Sequence, residues 1–246
     1  MRVLKSILDG IAVEEPDGPS VLASAGGSSF FSTRAFRAER FVVPADFSDL
    51  SDVPAQKARL RREARARILS VPATMRALDD ACLRQRVTDL PGFADARVVL
   101  LYCKAFPEEI ETRPLIDQVL ASGRTLILPR VRGRDELLAL ARVTDPESQL
   151  VPGALAIPEP ARDCPEVAPA QVEWVLVPGL AFDESCYRIG RGAGHYDRLL
   201  ACLDRAVPRW AIAYDEQLFD HLPTQSHDQV LSGIATPKRL VFQPLS

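Results

Sequence analysis

The stretch that decides the fold runs from Trp174 to Leu203 and reads WVLVPGLAFDESCYRIGRGAGHYDRLLACL. It begins with an apolar run, Trp174 to Val177, that is typical of a buried strand. Pro178 and Gly179 end this strand, because proline has no N–H for the ladder and glycine favours a turn. A loop rich in glycine and arginine follows, and then the first turns of a helix begin near His195.

A strand, a glycine loop and a helix in this order also favour binding of an anion. Glycines let backbone N–H groups approach a phosphate, and a helix start adds unpaired N–H groups and a partial positive charge. The guanidinium groups of Arg188 and Arg191 would add donors that match phosphoryl oxygens. Asp197, just after the loop, suits a magnesium ion shared with those phosphates.

Neither of the two common glycine motifs for phosphate is present in this loop. It lacks the Gly-Lys-Ser/Thr ending of the Walker loop, and Gly190, Gly192 and Gly194 do not follow the G-x-G-x-x-G spacing. On spacing alone, a surface loop with glycines for turning and arginines for solubility explains the pattern as well as anion binding does.

The stretch resembles the signature of the 5-formyltetrahydrofolate cyclo-ligases, which are also called methenyltetrahydrofolate synthetases. The family pattern is Pro-Gly, an apolar residue, Ala or Gly, Phe-Asp, a spacer, Arg, an apolar residue, and Gly-(Arg/Tyr)-Gly-x-Gly-Tyr-Tyr-Asp. The sequence departs from it at His195, where the family usually has tyrosine. The matching positions are Pro178, Gly179, Phe182, Asp183, Arg188, Gly190, Gly192, Gly194, Tyr196 and Asp197.

Composition and charge limit the classes of protein that the chain can belong to. Of its 246 residues 47% are apolar, which is enough for a sizeable core, and the net charge of −3 argues against binding of nucleic acid. The five cysteines are odd in number and form no C-x-x-C pair, which indicates reduced thiols. No apolar run reaches the roughly 18 residues of a membrane span. We expect a cytoplasmic protein that does not bind membranes and whose oligomeric state stays open.

The chain divides into two parts by composition. Residues 1–53 are expected to form an amino-terminal extension of unknown role, and residues 54–246 an α/β domain. Acidic residues such as Asp9 and Glu14 argue against a transit peptide in the extension. Its five phenylalanines are too apolar for a free linker, so we expect them to pack on the main domain or on another subunit.

Helical and strand patterns alternate through the second part, which predicts an α/β fold with a mainly parallel sheet flanked by helices. The resemblance implies a fold similar to ribose-phosphate isomerase and CoA-transferase domains. The predicted helices are 54–69, 73–88, 113–121 and 216–221. The predicted strands are 97–103, 125–128, 137–143, 174–177 and 209–214. Residues 145–169, rich in proline, are expected to be an irregular connection, and Met75, Leu78, Cys82 and Val87 are expected in the core.

The first of these helices carries an apolar stripe and a basic stripe side by side. Leu60, Ala64 and Ile68 fall on one, and Lys57, Arg61 and Arg65 fall on the other, offset by roughly 60°. A solvated basic face is the ordinary interpretation of such a pattern. The resemblance implies instead that Lys57 and Arg61 contact ATP.

Two acidic positions outside the glycine loop match family elements. Glu109 follows a predicted strand, at the end where open α/β sheets bind their ligands, and the resemblance implies that it contacts the folate. Asp228 matches an acid near the family's carboxyl-terminal end, although Ser232 stands where a second acid is frequent. Without the resemblance, Glu109 would belong to a solvated helix start and Asp228 to a turn.

The resemblance, which covers roughly residues 57–237, implies a reaction. ATP and Mg²⁺ would drive cyclisation of 5-formyltetrahydrofolate to 5,10-methenyltetrahydrofolate through phosphorylation of the formyl oxygen, with release of ADP and phosphate. The implied metal ligands are Asp197 and Asp228, and the implied catalytic residues are Arg191 and Tyr196. The implied nucleotide-binding residues are Lys57, Arg61, Arg188, Gly190, Arg191, Gly192, Ala193, Gly194, His195 and Tyr196. The implied folate-binding residues are Glu109, Arg191, Gly192, Gly194 and His195.

Two alternatives stay open at this point. A non-catalytic relative that binds folate or nucleotide and regulates would be compatible with His195 and Ser232. An isomerase or CoA-transferase would need a catalytic acid elsewhere and no ATP, and no residue pattern supports it. Because histidine can gain a proton near neutral pH, we expect His195 to retain activity and to make its pH dependence steeper.

Overall fold

The computed structural model describes residues 52–153 and 156–244. The predictions for the amino-terminal extension and its phenylalanines therefore lie outside the described residues and stay predictions. None of the helices within the two described ranges combines the length and the apolar character of a bilayer-spanning segment.

The described part contains a succession of helices and short strands. The helices are α1 (Val53–Ser70), α2 (Ala73–Val87), α3 (Arg113–Ala121), α4 (Pro146–Gln149) and α5 (His195–Cys202). The strands in the first half are β1 (Val98–Leu100), β2 (Thr125–Arg130), β3 (Ala139–Val143), β4 (Leu150–Pro152) and β5 (Pro158–Pro160). The remaining strands are β6 (Trp174–Leu176), β7 (Ala181–Asp183), β8 (Arg188–Ile189), β9 (Arg209–Ile212), β10 (Leu218–Phe219), β11 (Gly233–Ala235) and β12 (Leu240–Phe242).

A seven-stranded sheet with the order β12-β11-β9-β6-β1-β2-β3 forms the centre of the fold. Its five inner strands are parallel to one another, and the two edge strands, β12 and β3, pair antiparallel. The inner strands β6 and β9 are buried at every residue, which is the pattern of parallel strands covered on both faces. The prediction of a mainly parallel α/β sheet is confirmed.

Helices cover both faces of this sheet. Val99 of β1 belongs to an apolar cluster with Ile68 of α1 and Leu115 of α3, whereas its neighbour Leu100 packs in a second cluster with Leu199 of α5. Successive side chains of a strand point to opposite faces, so one strand supplies both cores. Burial of Ala64 and Ile68 agrees with the apolar stripe predicted on the first helix.

The prediction that Met75, Leu78 and Cys82 lie in the core is wrong. Met75 and Leu78 are 51% and 65% exposed, and Cys82 is exposed as well. The helix is turned so that Asp80 points inward, where its carboxylate accepts hydrogen bonds from the hydroxyl of Tyr214 at 2.5 Å and from the backbone N–H of Glu111 at 3.1 Å. Asp80 lies on the same face of α2 as Leu83 and Val87, which are buried, so the prediction for Val87 is confirmed.

Two other segments differ from their predicted structure. Residues 145–169 contain α4 and the antiparallel hairpin β4–β5 in place of an irregular connection. Residues 216–221 do not form a helix, because one turn of 3-10 helix at Asp215–Gln217 leads into β10, which pairs with β7. The side chain of Gln217 caps the start of that turn by accepting from the N–H of Tyr214, and it also donates to the carbonyl of Gly179.

A hairpin of β7 and β8 stands between the central strand β6 and the glycine loop. Its turn is built around Asp183, which is fully buried. One carboxylate oxygen accepts from the N–H groups of Ser185 and Tyr187, at 3.1 and 2.9 Å, and the other accepts from that of Leu222 at 3.0 Å. Asp183 therefore holds the hairpin that carries the glycine loop.

We predict that Asp183→Asn destabilises the protein by about 2 kcal/mol, since an amide NH₂ would face the N–H of Leu222 and leave buried donors unpaired. Denaturation by urea, followed by fluorescence, measures this change. The matched control is Asp95→Asn, at an exposed acid. Equal free energies of unfolding for the two variants would contradict the role given to Asp183.

Candidate active site

A cavity of about 410 Å³ lies at the edge of the sheet where the parallel strands end. Tyr102 after β1, Val131 after β2 and Pro178 after β6 contribute to its wall. This is the edge at which open α/β sheets bind their ligands. All the predicted site residues line the cavity: Lys57, Arg61, Glu109, Arg188, Gly190, Arg191, Gly192, Ala193, Gly194, His195, Tyr196, Asp197 and Asp228.

The glycine loop, residues 190–194, keeps its backbone N–H groups available. None of these N–H groups donates a hydrogen bond to another described residue. The loop carbonyls are held by arginine side chains instead: Arg61 Nε donates to Gly190 O at 2.8 Å, and Arg198 Nη2 to Ala193 O at 2.9 Å. Gly192 and Gly194 have φ angles of +105° and +69°, which favour glycine. The loop thus offers donors to a ligand at the start of α5.

Arg188, which is buried, and Tyr196, which is partly buried, lie next to each other beside this loop. Arg188 lies in β8 and not in the loop itself, and its Nη2 donates to Asp197 Oδ1 at 3.1 Å. Arg188 Nε and the Tyr196 hydroxyl are buried without a hydrogen-bond partner in the described structure. Burial raises the pKa of Tyr196, so its hydroxyl keeps the proton. Two unpaired buried polar groups at a cavity are the expected mark of a ligand site.

Lys57 and Asp228 meet across the cavity although they are 171 residues apart in sequence. Lys57 Nζ lies 2.5 Å from Asp228 Oδ2, and both side chains are less than 10% exposed, at 9% and 8%. Gln225 adds an acceptor to Lys57 at 3.5 Å. Burial lowers the pKa of nearby Arg61, and the charge of Asp228 opposes that effect. Lys57 and Arg61 of α1 thus face the cavity.

The acids of the cavity fit magnesium better than a transition metal. The described residues contain no group of three or more His, Cys, Asp or Glu side chains that could hold a metal on its own. Asp197 and Asp228 both line the cavity, and Asp197 Oδ2 has no donor among the described residues. Magnesium is commonly held by one or two carboxylates with substrate phosphates and waters, so these two acids suit it.

Arg191, for which the resemblance implies contacts with both the nucleotide and the folate, is paired with Glu109, for which it implies contact with the folate. Arg191 Nη2 lies 2.7 Å from Glu109 Oε1, and Nε lies 3.1 Å from the same oxygen. Glu109 Oε2 accepts from the N–H groups of Ala105 and Phe106, at 2.8 and 3.3 Å. The ring of Phe106 lies 3.5 Å below the Arg191 guanidinium. The glycine loop is therefore joined to the segment that follows β1.

The charge expected on His195 near neutral pH is not supported by its surroundings. Burial lowers the pKa of His195, the Arg198 cation lowers it further, and the carbonyl of Glu136 opposes both effects. His195 Nδ1 lies 3.0 Å from Arg198 Nη2, so it acts as an acceptor. The proton is therefore gained at more acidic pH than expected, and the steeper pH dependence of activity stays a prediction.

Sequence reasoning missed several residues that shape the site. Glu108 is 5% exposed and pairs with Arg191, and Glu159 is equally buried in β5 and lines the cavity. Arg198 fixes the loop carbonyl described above. No local signal distinguishes these charged residues from solvated ones. Ser232 packs between β9 and β11, where its hydroxyl accepts from the N–H of Arg209 at 3.1 Å, and it is not part of the cavity lining.

The fold and the site together define an α/β protein with a glycine loop and a charged cavity at the carboxyl edge of a mostly parallel sheet. The chain belongs to the 5-formyltetrahydrofolate cyclo-ligase family, whose model matches residues 53–237. The resemblance seen in the sequence is thus confirmed, and the family implies a nucleotide-dependent reaction on a folate.

Named relatives agree with this membership. The 5-formyltetrahydrofolate cyclo-ligase of Escherichia coli (strain K12) is 31% identical over 157 residues, which is 63% of this chain and 86% of that protein. The enzyme of Mycolicibacterium smegmatis is 30% identical over 192 residues, covering 76% and 96%. The NMR structure of Aquifex aeolicus 5,10-methenyltetrahydrofolate synthetase superposes with a TM-score of 0.68 at 32% identity, covering 77% of this chain and 94% of that one.

We predict that His195 titrates below its ordinary pKa of 6.5. NMR titration of the histidine rings, with His195→Gln to assign the signal, measures the midpoint. The unfolded chain then binds this proton more readily than the folded protein does. The contribution of His195 to the free energy of unfolding is therefore fully present above about pH 6.5 and declines as the pH falls. A midpoint at or above 6.5 would contradict the effect of burial and Arg198.

Proposed function

We propose that this protein is a 5-formyltetrahydrofolate cyclo-ligase that uses ATP and Mg²⁺ to form 5,10-methenyltetrahydrofolate, ADP and phosphate. The observation that carries the proposal is the glycine loop, whose N–H groups are unpaired among the described residues and lie beside Arg188, Arg61 and Lys57. Family membership supports the reaction class. The two unpaired buried groups, Arg188 Nε and the Tyr196 hydroxyl, support a ligand in the same place.

In this proposal the triphosphate of ATP binds to the backbone N–H groups of residues 190–194 and the N-terminus of α5. Arg61, Lys57 and Arg188 line the same cavity and offset the phosphate charge. Arg188 is fixed by Asp197 and Lys57 by Asp228, so the cations are held in position before the ligand arrives. Such prior positioning reduces the entropy lost on binding.

Asp197 and Asp228 would hold the magnesium ion, together with phosphate oxygens. A bound magnesium ion neutralises charge on the phosphates and polarises the phosphoryl group that is transferred. The two acids also hold Arg188 and Lys57, so the same carboxylates link the metal position to the cations around the phosphates.

The proposed reaction has two steps. The formyl oxygen attacks the terminal phosphorus, ADP leaves, and the oxygen becomes part of a good leaving group. The N10 nitrogen then attacks the formyl carbon, the carbon–oxygen bond breaks, and phosphate departs while N10 loses its proton. The residues bind, orient and neutralise charge without forming a covalent bond to the substrate. Tyr196, whose hydroxyl keeps its proton, can donate to the oxygen on which negative charge develops.

The proposal extends to the location of the protein, to the similarity of its fold and to the alternative function. A cytoplasmic location agrees with all five cysteines being free thiols. Similarity of the fold to ribose-phosphate isomerase and CoA-transferase domains is retained as a proposal on the basis of the mostly parallel sheet. The alternative of a non-catalytic relative loses its support from Ser232, because the hydroxyl of that residue accepts from the N–H of Arg209 and Ser232 is not part of the cavity lining.

We predict that the wild-type protein, given 5-formyltetrahydrofolate, ATP and Mg²⁺, produces the absorbance of the methenyl product. Asp197→Asn removes the charge that holds Arg188 and magnesium and should lower kcat by about 100-fold or more. Asp117→Asn, at an exposed acid that pairs with Arg113 in its own helix, is the matched control and should keep the wild-type rate. Absence of product with the wild type would overturn the proposed function, and a full rate for Asp197→Asn would overturn the site.

We predict that Gly192→Ala raises the KM for ATP. The substituted residue would have an unfavourable positive φ, and its Cβ would lie 3.3 Å from Arg61 Cζ, so the loop must shift. We expect the KM for ATP to rise much more than the KM for the folate in steady-state kinetics. Gly123→Ala has the same backbone penalty, at φ +75°, with nothing within 4 Å of its Cβ. Equal KM values for ATP in these two variants would contradict phosphate binding by the loop.

A further inference from the structure

Glu108 is a buried carboxylate to which the proposed function gives no role. It lies in the segment after β1, its side chain is 4% exposed, and one oxygen serves two cations. Oε1 accepts from Arg65 Nε of α1 at 2.9 Å and from Arg191 Nη2 of the glycine loop at 3.1 Å. Burial acts to raise the pKa of Glu108, but a backbone hydrogen bond and the Arg191 and Arg65 guanidinium groups outweigh it and lower that pKa.

These contacts hold Arg191 against the wall of the cavity. Its guanidinium contacts Glu108, Glu109 and the ring of Phe106. Glu109 accepts four hydrogen bonds, two from Arg191 and two from the backbone N–H groups of Ala105 and Phe106. An ionised carboxylate has about four acceptor positions. A folate N–H donor can therefore bind Glu109 well only after Arg191 moves away.

A nucleotide supplies the group that can draw Arg191 away. Phosphate oxygens match the guanidinium fork as well as carboxylates do, and Arg191 lies in the loop proposed to bind them. Release of Arg191 would leave Glu109 with two acceptor positions for the folate. It would not leave Glu108 as an uncompensated buried charge, because Arg65 stays paired with it.

We propose that Glu108 and Arg65 are positioning residues that hold Arg191 where a nucleotide can draw it away. Nucleotide binding then moves Arg191 off Glu109 and opens Glu109 to the folate. The inference rests on the proposed function, whose two substrates share this cavity. It implies that each substrate strengthens the binding of the other, and by linkage the factor is the same in both directions. It also implies that Arg65, which does not line the cavity, affects nucleotide affinity.

The first test is calorimetric titration of the wild-type protein. The Kd of 5-formyltetrahydrofolate is measured with and without saturating β,γ-imido-ATP and Mg²⁺, and the Kd of the analogue is measured with and without the folate. We expect each ligand to tighten the other by about fivefold or more, with equal factors in the two directions. Unchanged Kd values would overturn the inference.

The second test uses Arg65→Gln. Without Arg65, release of Arg191 would leave the charge of Glu108 buried and unpaired, so Arg191 should be held more firmly and the Kd of the ATP analogue should rise. The double variant Arg65→Gln/Glu108→Gln removes that charge and should restore the affinity. The matched control is Arg62→Gln, at an exposed arginine of the same helix. The side chain of Arg62 makes no hydrogen bond or ion pair with a described residue.

The outcomes separate the inference from the function on which it rests. If Arg65→Gln binds the analogue like Arg62→Gln, or if the double variant stays as weak as Arg65→Gln, the positioning role is overturned. A wild-type protein that forms the methenyl product without coupling between its ligands would overturn the inference and leave the function intact. A protein that binds no nucleotide and forms no product would overturn both.

Discussion

The candidate site depends on how the carbonyl groups of the glycine loop are held. Arg61 and Arg198 donate to the carbonyls of Gly190 and Ala193, so the loop is fixed from its acceptor side. Its N–H groups are thereby left to a ligand, and positive φ angles at Gly192 and Gly194 are needed for that backbone path. A loop of the same composition whose N–H groups donated to its own carbonyl groups would offer no anion site.

The fold brings distant residues to this loop through the edge of the sheet. The parallel strands end at one edge, and α1 packs beside them so that Lys57 reaches Asp228. The hairpin of β7 and β8, built on the buried carboxylate of Asp183, carries the loop to the same place. The cavity is thus lined by a few chain segments, and most of its charged groups are paired with one another.

The elements with strong local patterns could be predicted from the sequence. The apolar run that begins at Trp174 predicted a central buried strand, which is confirmed, whereas the spacing of glycines and arginines explained a surface loop as well as an anion site. The inward face of α2 was predicted only in part, because Asp80 lies there beside Leu83 and Val87 and bonds to Tyr214, far along the chain. The pairing of Arg191 with Glu109 was also beyond a local pattern, since it depends on which loops meet at the sheet edge.

Binding of nucleotide phosphates by the backbone N–H groups of the glycine loop is measured most directly by the ¹H–¹⁵N NMR spectrum of the protein during titration with β,γ-imido-ATP and Mg²⁺. We expect large shifts of the amide signals of Gly190, Gly192 and Gly194, together with the amide of Asp228. Shifts confined to other parts of the chain, with these glycine signals unmoved at saturation, would contradict it.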